Sequence, residues 1–311
     1  MNRIALLKSE LDLSHAGLEI GVLHNPCVSR AESDVRYVDH LPTDLLKEKY
    51  KAQSFPHWQD IHEVDIVVGP EGLRAAVGES RFGYVIASHV IEHIHNPIAW
   101  LRDIHGLLED GGVLALAIPD KRYCFDALRT ETSTGQWIDA YVRNEPAPTP
   151  GQIFDALHNE VVLNGSITWD GDVPSGLLKR LKHPSVALHT ARDTFAARAY
   201  YDVHCSVFTP ASFFLVLRQL AVLGLFDFEV AGFVDSIGHE FFVHLRRPGN
   251  AEWTKQISSI PLVREGRFAS IPKSFDAAFY LRTHPDVAAA HIDPAEHFLN
   301  YGRDEKRAYS A

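Results

Sequence analysis

Residues 82–97 read FGYVIASHVIEHIHNP and set His89, Glu92 and His93 in the order H-x-x-E-H, the spacing of an inverted zinc-peptidase motif. Zinc chemistry would need both histidines on one face of a stable helix, a third ligand elsewhere and an open coordination position. The surrounding sequence argues against that helix. The motif starts at the end of an apolar β-type run, and Asn96-Pro97 interrupts any helix within two turns. The expectation is therefore no metal site: Glu92 and His93 form a short turn anchoring the strand end, and only Ser88 and His89 face a ligand.

The elements that must position these residues follow from hydrophobic patterning. A chain of 311 residues, 46% hydrophobic and 23% charged, can bury a large core. Short β-type runs alternate with helical stretches: GLEIGV (17–22), DVRYVD (34–39), VDIVV (64–68), FGYVIAS (82–88) and GGVLALAIP (111–119), separated by PTDLLKEKY, PEGLRAAV and PIAWLRDIHGLLEDGG. Strand, helix, strand in this rhythm predicts a parallel sheet covered on both faces. From Pro119 to about residue 205 the rhythm stops, which reads as an insertion over the strand ends. Thr209 and Pro210 then open a helix that Gly224 closes, and 226–234 with 240–247 form a closing hairpin. Residues 248–274 read as a linker with short structured pieces, and Asp293-Pro294 to Gly302 as a helix in a small appendage.

In such a sheet, ligands sit beyond the carboxyl ends of the strands. Glu19 and Gly21 end the first run, Asp39 ends the second, Asp65 and Glu71 belong to the third, and Ser88 and His89 end the fourth. An acidic residue about 20 positions after the first turn suits a ribose diol, and the third-strand carboxylates suit an adenine amino group. Together they describe a nucleoside site.

At these residues, LEIG (18–21), YVDH (37–40), the block 82–120 and the terminal hairpin, the chain resembles class I S-adenosylmethionine-dependent methyltransferases over about residues 15–247. The resemblance implies a Rossmann-like, doubly wound, mostly parallel seven-stranded α/β sheet with an antiparallel last strand. It also implies a methyltransferase domain over 1–247, with a lid-like insertion at 119–205, the linker 248–274 and a helical module at 275–311. The implied cofactor is S-adenosylmethionine, held by Glu19, Gly21, Asn25, Asp39, His40, Asp65, Ser88 and His89. The sequence departs from the family in its first turn, GVLHNP, where Gly21 stands alone instead of among two or three glycines. A nicotinamide dehydrogenase would want G-x-G-x-x-G there, which this turn does not offer.

The sulfonium methyl is already electrophilic, so the protein must hold a nucleophile in line, shield it and supply a base. Base candidates are His89, Asp120, Tyr123, His158, His189 and His204, and the acceptor would meet Arg122, Tyr123 and Arg129 in the insertion. Such residues suit a sugar, with or without a phosphate; equally, the arginines could pair with Asp126 and Glu131. Trp137, Tyr141, Trp169, Tyr200 and Tyr201 could stack on a sugar or build the lid's own core. The stretch 275–307 resembles a module found beside bacterial glycosyltransferases and other surface-polysaccharide proteins, which implies a glycan acceptor and contact with glycan-synthesis proteins. A helical cap or a homo-oligomer contact is its alternative.

A net charge of −10 with 30 scattered Lys and Arg disfavours nucleic acid as a partner, and three widely spaced cysteines suit a reducing cytoplasm. With no apolar run long enough to span a bilayer, membrane association would be peripheral, at the inner membrane. The expectation is a cytoplasmic methyltransferase acting on a sugar or glycan-precursor hydroxyl. The alternatives are a non-catalytic cofactor- or glycan-binding scaffold and a zinc hydrolase built on His89, Glu92 and His93.

Overall fold

The apolar runs pair into one sheet in a computed structural model that describes residues 2–250, 252–264 and 266–311. Its strands are β1 (Gly17–Ile20), β2 (Val35–Asp39), β3 (Ile66–Val67), β4 (Phe82–Ser88), β5 (Leu108–Pro119), β6 (Glu229–Ile237) and β7 (Glu240–Arg246). They lie in the order β3-β2-β1-β4-β5-β7-β6, and β7 is antiparallel to both of its neighbours while the other pairs are parallel. This is the doubly wound, mostly parallel sheet with an antiparallel last strand.

Alternation along the strands builds two cores. Val85 and Ala87 of β4, Leu114, Leu116 and Ile118 of β5, and Phe241, Val243 and Leu245 of β7 pack on one face against α4 (Pro97–Leu107) and α8 (Pro210–Val222). Tyr84, Ile86, Ala115, Ala117 and Phe242 face the other way, onto Leu6 and Leu7 of α1 (Arg3–Lys8) and the loop residues Cys27 and Val28. Close approach of the strands requires Gly17, because a Cβ there would stand 2.0 Å from the Tyr84 ring.

The winding reverses between β1 and β4. Helices α2 (Thr43–Ala52) and α3 (Leu73–Val77) follow β2 and β3 on one side of that switch, and α4 follows β4 on the other, leaving a crevice at the strand carboxyl ends. Pro97 opens α4 behind an Asn96 side chain that accepts from the Ala99 amide (3.3 Å). The helix stops at Leu107, before Gly111, because β5 begins at once with Leu108 and Gly111 (φ +85°) lies inside that strand. β3 is likewise shorter than its run, only Ile66–Val67.

The region 119–205 contains α5 (Thr134–Arg143), α6 (Pro150–Asn159) and α7 (Pro184–Ala197). Helices α6 and α7 share a small core of Ile153, Leu157, Ala187, Ala191 and Val203, while α5 sends Trp137 into the main core, its indole donating to Ser206 Oγ at 2.9 Å. Beyond the sheet, α9 (Trp253–Ser259) buries Ile257 in the main core beside Ile260 and Val263. Helices α10 (Ala277–Thr283), α11 (Pro285–Ala289) and α12 (Pro294–His297) surround Tyr280, Leu281, Val287 and Phe298. Among the described residues no helix is long and apolar enough to cross a membrane.

Candidate active site

The turn after β1 is built from inside. Glu19 is buried and accepts from the amides of Cys27 (2.7 Å) and Val28 (3.0 Å), so its carboxylate closes the loop 21–28 instead of reaching the crevice. Burial raises the pKa of Glu19, and those two amide bonds work against the rise. Gly21 takes φ +72°, and its Cβ position lies 3.2 Å from Val90 Cγ2. Two residues on, Leu23 adopts φ +49°, so the turn keeps a left-handed residue where no glycine stands. Asn25 is exposed in the same loop.

Asp39 ends β2 at the crevice with 8% exposure, its Oδ1 accepting from the His40 amide (2.7 Å) with the exposed His40 ring beside it. Asp65 is not with it. That residue precedes β3, and its carboxylate is taken by Arg30 (2.9 and 3.0 Å) and the Tyr37 amide (2.7 Å). The expectation of Asp65 beside an adenine is corrected: of the two third-strand carboxylates, Glu71 follows β3 at its carboxyl end, and it is exposed.

Ser88 and His89 reach the crevice from β4, where an unexpected network holds them. Arg3 of α1 donates to Ser88 Oγ and, through Nε, to Glu240 (2.7 Å). His89, at φ +54°, places Nε2 2.8 Å from Glu240 Oε2 and Nδ1 3.5 Å from Glu92 Oε1. Burial opposes its charge, but the hydrogen bond to Glu240 and the nearby Glu92 carboxylate prevail and lift its pKa to about 9. The raised pKa favours the imidazolium at neutral pH, a form that cannot take up a proton from an acceptor.

Glu92 and His93 lie on the 3-10 turn Ile91–His93, the short turn expected after β4, and the Glu92 carbonyl accepts from the amides of Cys205 (2.6 Å) and Ser206 (3.0 Å). Their side chains meet His204 at the far end of the insertion. One ligand atom from each of Glu92, His93 and His204 lies within 4.8 Å of the others. His93 Nδ1 is 2.9 Å from Asp202, and His204 Nδ1 is 2.5 Å from Asp126. Burial would raise the pKa of Glu92, but the surrounding His89, His204 and His93 hold it down.

Other insertion candidates are engaged elsewhere. Asp120 is fully buried and accepts from Arg122 (backbone N and Nε both at 3.0 Å) and Ser236 Oγ (2.6 Å), which leaves it no role as a free base. Arg129 is buried between Asp126 and Asp155, each at 2.9 Å, and also donates to the His204 carbonyl, so it positions His204 and is closed to an acceptor. Arg122 stacks on Tyr123, whose hydroxyl lies 3.5 Å from Asp172. His158 stacks on Phe154 within α6, and His189 is exposed and pairs with Asp193 (3.0 Å), which takes both out of the crevice network. Spacing along the chain could not reveal Arg3, Glu240, Asp126 or Asp202, since each arrives by tertiary contact.

The three cysteines are free and buried. Burial lifts the Cys205 thiol to about 12; burial and then the Glu19 charge lift Cys27 to about 12; Cys124 is raised as well. Thiolate is the reactive form. A thiol-disulfide reagent at mildly alkaline pH should therefore find no fast-reacting cysteine in the native protein and three in denaturant. One rapidly labelled native thiol would contradict this packing.

A family model described as a methyltransferase domain matches residues 48–219, more than half of the chain. The match takes in Ser88, His89, Glu92, His93 and His204 and begins after β2, so Glu19, Gly21 and Asp39 precede it. No curated protein matches the chain. Among solved structures, the chain is similar to the CcbJ methyltransferase from Streptomyces caelestis, with 23% identity and a TM-score of 0.29 over 42% of this chain and 56% of that one. It is similar to the CurJ carbon methyltransferase at 13% and 0.37, over 78% of this chain and 51% of that one. A third is an S-adenosylmethionine-dependent methyltransferase from Clostridium acetobutylicum, at 8% and 0.38, over 78% and 88%. The chain spans about half the length of the first two, and TM-scores this low add no argument. On the family match, set beside the sheet order and the crevice at its switch point, the chain belongs to the methyltransferase-domain family.

Proposed function

We propose that this protein transfers a methyl group from S-adenosylmethionine to a hydroxyl of a sugar or glycan precursor, in the cytoplasm or peripherally at the inner membrane. The observation that carries the cofactor half is Asp39, a nearly buried carboxylate at the carboxyl end of β2 beside the Gly21 turn, where a ribose diol needs an acceptor. The acceptor class rests on the polar insertion over the strand ends and on the likeness of 275–307 to modules beside glycosyltransferases. Asp39 and the Gly21 turn would hold the nucleoside of S-adenosylmethionine, which would supply an electrophilic methyl for the acceptor oxygen to displace from sulfur, the hydroxyl proton going to a base or to solvent. What the protein contributes is alignment and exclusion of water.

Methyl-labelled S-adenosylmethionine, incubated with the full chain and a panel of sugar nucleotides and glycans, tests this reading. Label should move to at least one acceptor with matching release of S-adenosylhomocysteine. Cofactor binding with no transfer to any sugar hydroxyl would contradict the acceptor class and favour a non-catalytic scaffold, a reading kept open by the single glycine of GVLHNP.

A further inference from the structure

Glu92 poses a problem that the methyl-transfer site does not solve. It is 1% exposed, and neither carboxylate oxygen has a hydrogen-bond partner; it pairs with His89 Nδ1 at 3.5 Å, and the other nitrogen of that ring bonds Glu240. A buried carboxylate with no hydrogen bond and a single long ion pair, shared with Glu240, is only partly compensated and suits a further cation.

The two neighbouring histidines are oriented for that cation. Each commits Nδ1 to a carboxylate, His93 to Asp202 and His204 to Asp126, and Asp126 is braced in turn by Arg129 at 2.9 Å. A ring that donates Nδ1–H to a carboxylate presents a bare Nε2, the arrangement that supports metal-binding histidines. The rings stand at 88° with centroids 4.7 Å apart, and the ligand atoms of all three residues already lie within 4.8 Å of one another. Bonds of roughly 2.1 Å to one ion would draw these atoms closer together. His93 remains about one-third exposed, so the cluster is open on one side.

We propose that Glu92, His93 and His204 form a binding site for one divalent first-row transition ion. Two imidazoles and a carboxylate suit zinc, iron, cobalt or manganese better than magnesium or calcium. The sequence expectation of no metal treated H-x-x-E-H as a helix motif. Here the 3-10 turn supplies Glu92 and His93, His204 replaces His89, and no helix face is needed. Metal binding stands apart from methyl transfer; that open positions on the ion would hold acceptor oxygens rests on the proposed function.

Titration of metal-free full-length protein with Zn²⁺, and with Co²⁺ followed by visible absorption, tests the site. Wild type should take up one equivalent with ligand-field bands, and Glu92→Gln and His204→Ala should each weaken binding at least ~10-fold. Absence of stoichiometric binding, or equal binding by both variants, would overturn it. Should the variants misfold, wild-type crystals soaked in Zn²⁺ decide: an anomalous peak among Glu92, His93 and His204 supports the site, and no peak there refutes it. S-adenosylmethionine binding measured on the same samples separates the two readings, because loss of the cofactor site would leave metal uptake intact.

Discussion

Asp293→Ala should destabilise the protein by about 3–5 kcal/mol, among the largest effects of any single substitution, because it strands a guanidinium inside the core. Arg218 is 3% exposed in the middle of α8 and donates through Nη2 to Asp293 Oδ1 (2.7 Å) and through Nε to Oδ2. Its Nη1 reaches the carbonyls of Ile257 (3.0 Å) and Ile260 (2.5 Å). Asp293 also caps α12, accepting from the Ala295 (2.9 Å) and Glu296 (3.1 Å) amides. One ion pair thus joins the sheet-covering helix, the segment after the sheet and the C-terminal helices. Urea denaturation of wild type, Asp293→Ala and the double variant Arg218→Met/Asp293→Ala checks it. The double variant should recover part of the loss, since the buried charge is gone; a single variant within about 1 kcal/mol of wild type would show the pair to be dispensable.

Asp39→Ala should weaken S-adenosylmethionine binding by about 10- to 100-fold, the worth of hydrogen bonds to a charged acceptor of roughly 1.5–3 kcal/mol. Oδ1 already takes the His40 amide at 2.7 Å, which fixes the carboxylate at the end of β2. Asp39→Asn, which keeps an acceptor oxygen and loses the charge, should fall between wild type and alanine. Affinities within twofold of wild type for both variants would remove Asp39 from the ribose site.

The sheet was legible because its runs are apolar throughout or alternate cleanly, and Thr209-Pro210 with Gly224 marked α8 at both ends. The insertion's helices were not, although STGQ (133–136) and TPGQ (149–152) both form capping boxes. Histidine, aspartate and proline between them hid the helical period. Asp65 shows how finely a strand end must be located: a run assigned to 64–68 that pairs only at Ile66–Val67 leaves Asp65 before the strand. Gly21, Asp39, Ser88 and His89 could be placed from the sequence because they stand at the carboxyl ends of β1, β2 and β4. The cluster of Glu92, His93 and His204 could not, because its third member belongs to the insertion and meets the others only in the folded chain.

Calorimetric titration of the purified full chain with S-adenosylmethionine and, separately, S-adenosylhomocysteine tests the central claim most directly. The arrangement of Asp39 and the Gly21 turn predicts one site per chain binding both ligands in the micromolar range. No heat from either at millimolar ligand would contradict it, and would mean that the GVLHNP turn, with Leu23 at its left-handed position, has closed the crevice to the cofactor.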